Sequence, residues 1–147
     1  MLRRCILSLL AFLVLAPAAT AQEATEAELL ALQEAYAEAF AAEDVDALLE
    51  TLHREGPSYR LVGRLIGMLW SSVRTDIDVI SLRIIGTDGD YAFTRERRRL
   101  TSWADAPEET DDRDPAVSFT DLVVAYRRTP SGWRIWNGME LTDEPVE

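Results

Sequence analysis

Tyr126-Arg127-Arg128-Thr129-Pro130-Ser131-Gly132-Trp133-Arg134-Ile135-Trp136 is the stretch that decides how this chain folds. Two β-forming runs meet at a Pro-Ser-Gly breaker, which predicts a hairpin on which helices can pack. With Pro130-Ser131 as the loop, Arg128 stands opposite Trp133, Tyr126 opposite Ile135, Val124 opposite Asn137 and Leu122 opposite Met139. One face then collects Leu122, Val124, Tyr126, Trp133, Ile135, Asn137 and Met139, and is expected to line the interior. The reverse face carries Phe119, Asp121, Val123, Ala125, Trp136 and Glu140. Its apolar part, Phe119, Val123 and Trp136, reads as a subunit interface, because exposed aromatic area usually marks one.

A second hairpin precedes it. Ile77 to Ile85 is rich in β-branched residues, Thr87-Asp88-Gly89-Asp90 has the form of a two-residue turn, and Tyr91 to Trp103 returns. Alternation groups Ile80, Leu82, Ile84, Tyr91, Phe93, Arg95, Arg97 and Arg99 on one face. Ile77, Val79, Arg83, Ile85, Ala92, Thr94, Glu96, Arg98 and Leu100 take the other. Three unpaired arginines would be costly to desolvate, so Arg95, Arg97 and Arg99 are placed outside and Glu96 with Arg98 inside.

Upstream, three helices are expected. Thr25 and Glu28 form a capping box before a helix with Leu29, Leu32, Tyr36 and Phe40 on one stripe. Asp44 caps a short second helix with Val45, Leu48, Leu49 and Leu52 inward, ending near His53. Gly56-Pro57 breaks the chain and starts a third through Leu61, Val62, Leu65, Ile66, Leu69 and Val73. Gly63 and Gly67 in that helix predict close packing against its neighbours.

Met1 to Ala21 has a basic start at Arg3 and Arg4, an apolar run from Cys5 to Ala16 and small residues at Ala19-Thr20-Ala21. This is the pattern of a secretory signal peptide, and a run so short falls below the ~20 residues a membrane-anchoring span requires. Cleavage after Ala21 leaves one domain, residues 22–147, with no cysteine, periplasmic or extracellular, and with no stable membrane span. The formal charge is −11, and all 15 basic residues are arginines. A charge of that sign argues against nucleic acid as a partner. Acids crowd Ala104 to Pro115 without the order of a calcium loop, and one His with no Cys in the domain completes no zinc set, so no metal and no cofactor are expected.

Helices followed by a long-stranded antiparallel sheet make an α+β pattern. On Ala39 to Leu52, the corner Leu52-His53 to Pro57, Gly89-Asp90-Tyr91-Ala92 and Gly132-Trp133-Arg134-Ile135, the chain resembles the nuclear transport factor 2-like superfamily, specifically its small secreted and SnoaL-like members. The resemblance implies three N-terminal helices packed in a strongly curved antiparallel sheet, a cone-shaped, cystatin-like roll with a pocket inside. It also implies a homodimer. Members include isomerases, dehydratases, cyclases and domains without catalysis, so the fold leaves function open.

An enolising member needs a carboxylate base in an apolar cavity and donors at the developing oxyanion. Glu96 is the candidate base, and Tyr36, Tyr59 and Tyr126 are candidate donors, with Arg98 and Asn137 completing a ligand pocket. Against catalysis, Arg98 or Arg83 is positioned to neutralise Glu96. The inward positions of the last strand, Asn137 and Met139, are not bases where catalytic relatives often carry one. His53 is expected to cap the second helix as an imidazolium. The expected function is therefore an exported, non-catalytic domain that binds a small apolar or amphipathic molecule, or an accessory domain that binds a partner. The alternatives are a cofactor-free isomerase, dehydratase or cyclase and a dimeric interaction module.

Overall fold

The computed structural model describes residues 24–104 and 114–141. The expected signal peptide, residues 1–21, and most of the acidic loop lie outside them. Helix α1, Glu26–Ala41, starts at the expected capping box: the Thr25 hydroxyl accepts from the Glu28 amide while the Glu28 carboxylate accepts from the Thr25 amide. The Asp44 side chain caps α2, Val45–Thr51, through the Ala47 amide, and Pro57 opens α3, Pro57–Trp70.

Strands β1, Val73–Asp88, β2, Tyr91–Ala104, β3, Ala116–Thr129, and β4, Gly132–Glu140, form one antiparallel sheet in the order β1-β2-β3-β4. Sequential order leaves β1 and β4 as two unjoined edges. The strongly curved, cone-shaped, cystatin-like roll expected from the sequence is therefore replaced by an open sheet. Register supplies the physical reason. Bulges bend strands, and here they sit only in the edge strands, whereas the central β2–β3 ladder runs from Tyr91 opposite Arg127 to Ser102 opposite Ala116 without a shift.

Those bulges also correct the expected faces. In β4, Tyr126 stands opposite Ile135 as predicted, but Trp136 has no partner, so Asn137 falls opposite Ala125, Gly138 opposite Val124, Met139 opposite Val123 and Glu140 opposite Leu122. Asn137 and Met139 thus leave the inner face, and Gly138 and Glu140 enter it. In β1 the turn residues are Gly89 and Asp90, one place later than predicted, and shifts after Val79 and Ile84 put Leu82 opposite Glu96 and Ile84 opposite Thr94. Leu82 and Ile84 therefore lie on the inner face. Gly89 has φ 57° and Gly132 φ 112°, values that favour glycine at both turns.

The helices cover the inner face. Leu29, Leu52, Ala92, Val124, Tyr126 and Ile135 form one buried cluster, and Ala39, Phe40, Leu48 and Ile66 a second. The Glu26 carboxylate accepts from the Ile84 amide at 3.1 Å and ties the start of α1 to β1. The expected packing of Gly63 and Gly67 is not formed: a Cβ on Gly63 would only touch Leu49 at 4.0 Å, and one on Gly67 would meet nothing within 4 Å. Of the fourteen residues of α3 only Ile66 is buried.

Candidate functional site

Alternation along β2 sends Ala92, Thr94, Glu96 and Arg98 to one side, and all but Arg98 are buried. Arg98 keeps 12% of its side chain exposed and the Glu96 side chain none. The Glu96 carboxylate is filled. Its Oε1 accepts from Thr94 Oγ1 at 2.7 Å, from the Tyr126 hydroxyl and, distantly, from Gln33 Nε2 at 3.5 Å. Its Oε2 accepts from Arg98 Nη2 at 2.7 Å and Nε at 3.2 Å.

Gln33 closes the network. Its Nε2 donates to the Tyr126 oxygen at 2.6 Å, and its Oε1 accepts from Arg98 Nη2 at 2.9 Å. Above it the Arg98 guanidinium lies 6.0 Å from the centre of the Tyr36 ring. Burial, and then the neighbouring Glu96 charge, hold the Tyr126 phenol well above its ordinary range. Burial also raises Tyr36, against the opposing pull of Arg98. Neither phenol is an anion near neutral pH, and Tyr126 donates its proton to Glu96.

The structure thus brings together Tyr36, Glu96, Arg98 and Tyr126 of the residues singled out in the sequence, and separates two. Tyr59 lines an open cleft of about 830 Å³ with His53, Arg54, Glu55 and Arg134. Asn137, exposed at the β4 edge, accepts from Ser58 Oγ at 3.2 Å. Gln33 was missed, although the spacing of Leu29, Gln33, Tyr36 and Phe40 puts it on the apolar stripe of α1. Glu140 and Thr120 were missed as well. Thr120 Oγ1 donates to Glu140 Oε1 at 3.0 Å, and Thr120 stands opposite Arg98 in the ladder. Glu140 is exposed, on the same side of the sheet as Arg98, and only the bulge at Trp136 turns it there.

His53 does not cap α2 as an imidazolium. The helix ends at Thr51, the His53 amide donates to the Ile135 carbonyl at 2.8 Å, and His53 Nδ1 accepts from the Glu55 amide at 3.2 Å. Burial, and then the Arg127 cation, lower its pKa. The neutral ring packs 5.0 Å from Trp136, which also receives Tyr91 edge-on at 5.8 Å and the Arg127 guanidinium at 5.0 Å. Phe119, by contrast, is 56% exposed, with the Arg97 guanidinium 5.4 Å from its ring centre, and Val123 is half-buried. Among the described residues no group of three or more His, Cys, Asp or Glu is placed to hold a metal ion.

No protein-family profile matches the chain, and no curated protein does. Solved structures do. A protein of Novosphingobium aromaticivorans provisionally assigned as an aromatic ring hydroxylase is similar at TM-score 0.66 and 16% identity, over 82% of this chain and 90% of that one. The β subunit of benzoate 1,2-dioxygenase from Burkholderia mallei gives 0.66 and 11%, over 81% and 91%. The intermembrane space region of the chloroplast protein ARC6 gives 0.64 and 12%, over 83% and 100%. At such identities the likeness concerns the fold alone.

Proposed function

We propose that the chain acts on a small apolar or amphipathic molecule at the inner face of the sheet, as a cofactor-free isomerase, dehydratase or cyclase. Glu140 is the acid–base group in this reading and Arg98 the cation that faces developing negative charge. The observation that carries it is the extra residue at Trp136, which turns Glu140 to the side of Thr120, Leu122 and Arg98.

An exposed carboxylate with one oxygen held by Thr120 has its other oxygen available to take a proton from a carbon beside a carbonyl. The electron pair moves onto the carbonyl oxygen, where a fixed cation stabilises it more than it stabilises the ground state. Return of the proton at another carbon completes an isomerisation; in a dehydration the enolate re-forms the carbonyl as the β C–O bond breaks, and the protonated Glu140 gives its proton to the departing hydroxyl, which leaves as water. Glu96, expected to be the base, has its acceptor sites occupied. Its role here is to orient Arg98.

A second reading, a non-catalytic binding or accessory domain, is favoured by one observation: Gln33, Glu96, Arg98 and Tyr126 bond to one another as a satisfied core does. We extend either reading to an exported protein, periplasmic or extracellular, on the character of residues 1–21.

The test is proton exchange in D2O, followed by NMR, with a panel of cyclic enones and β-hydroxy ketones. Exchange that scales with protein and falls at least 100-fold in a folded Glu140→Gln variant is expected, within the usual range of a general base. Binding of the same molecules without exchange above buffer selects the second reading.

A further inference from the structure

We propose that α3 is a membrane-surface helix that lies in the headgroup layer of an anionic bilayer, seated by Leu61, Leu65, Met68 and Leu69 and steered by Arg60 and Arg64. The four apolar side chains are 54%, 45%, 64% and 44% exposed. Their spacing, i, i+4, i+7 and i+8, makes a single exposed stripe that flanks the line on which Ile66 is buried. Arg60 and Arg64 are exposed on the adjoining stripe, and neither forms a salt bridge among the described residues.

Charge identifies the occupant. In a chain of net charge −11, the stretch from Pro57 to Thr75 contains no acid and carries Arg60, Arg64 and Arg74. The nearest acid before it, Glu55, is already paired with Arg127 at 2.7 Å. A second copy fits poorly, because pairing two α3 faces gathers their arginines at one seam without an acid on either helix. An anionic lipid surface answers both stripes at once: acyl chains for the leucines and methionine, headgroup phosphates for the arginines.

The helix lies on the bilayer and does not cross it. Fourteen residues span about 21 Å, short of the ~30 Å hydrocarbon core. No helix among the described residues is long and apolar enough to cross a membrane.

The test places an environment-sensitive dye on Met68→Cys in the full chain, with Cys5→Ser to leave one thiol, and in a second protein on Leu61→Cys. Vesicles of phosphatidylcholine alone, and with about one-third phosphatidylglycerol, are titrated in. A blue shift with the anionic vesicles, quenched by acyl-brominated lipid, is expected at both positions. Arg60→Gln and Arg64→Gln should each weaken it roughly fivefold, as a basic residue near an anionic surface does, and salt should weaken it further. The same dye on Ser81→Cys should not respond, which separates α3 from membrane binding by residues 1–21. An unshifted dye at positions 61 and 68 overturns the proposal. So does an equal shift with neutral vesicles, or a shift that grows with protein concentration in the absence of lipid, the mark of a protein interface.

Discussion

Tyr126 is the residue on which the inner network turns, because its one hydroxyl donates to Glu96 and accepts from Gln33. Its raised pKa has a consequence for stability. The unfolded chain releases a phenol proton near pH 10, while the folded chain retains it. Above pH ~10 the unfolded state therefore binds fewer protons than the native state, and stability falls as pH rises. Below pH 10 the contribution is fully present. For one phenol the loss between pH 10 and pH 11 is about 1 kcal/mol, and Tyr36, raised in the same direction, adds to it. Tyr126→Phe should lower stability at neutral pH by roughly 1–3 kcal/mol, since it leaves Glu96 short of a donor, and it should flatten the alkaline decline. Urea unfolding at pH 8, 10 and 11 checks both; an unchanged alkaline slope in the variant would remove Tyr126 from the account.

At the scale of elements, two glycines in neighbouring segments should respond to alanine with opposite signs. Gly56 caps the start of α3 and is pressed on β4: a Cβ there would lie 2.6 Å from the Trp136 carbonyl oxygen and 3.0 Å from that of His53. Backbone atoms cannot give way as a side chain can, so Gly56→Ala should destabilise by roughly 1–3 kcal/mol. Gly67 lies inside α3 with open space around it, and Gly67→Ala should stabilise by about 1 kcal/mol through helix propensity alone. Thermal melts of the two variants read the difference. The same contact shows where sequence reasoning stopped. Caps at Thr25, Asp44 and Pro57 and the inward placement of Glu96 and Arg98 were legible, because each rests on near-neighbour chemistry or on period-two alternation. The bulge at Trp136 was not, since it arises from the chain at His53 and Gly56 packing along the edge of β4. One unpaired residue exchanged Asn137 and Met139 for Gly138 and Glu140, and with them the candidate acid–base group.

For the whole molecule, an open sheet covered by helices on one side leaves its other face to be accounted for. That face exposes Val117 at 55%, Phe119 at 56% and Met139 at 63%, with half-buried Val123 opposite Met139. The homodimer suggested by the sequence fits there as a proposal, with its centre moved. Trp136, one of the three residues first assigned to the contact, is already packed by Tyr91, His53 and Arg127 of its own chain. Phe119 is the side chain available to a partner, and aromatic anchors near the middle of an interface carry much of its energy. Phe119→Glu should therefore raise the dimer dissociation constant at least tenfold, about 1.4 kcal/mol, with the melting temperature of the monomer unchanged. Trp136→Glu should act the other way, lowering the melting temperature because it breaks an intramolecular cluster. Sedimentation across micromolar to hundred-micromolar protein distinguishes these effects, and a wild-type chain that stays monomeric throughout would leave the outer face without a second copy as its occupant.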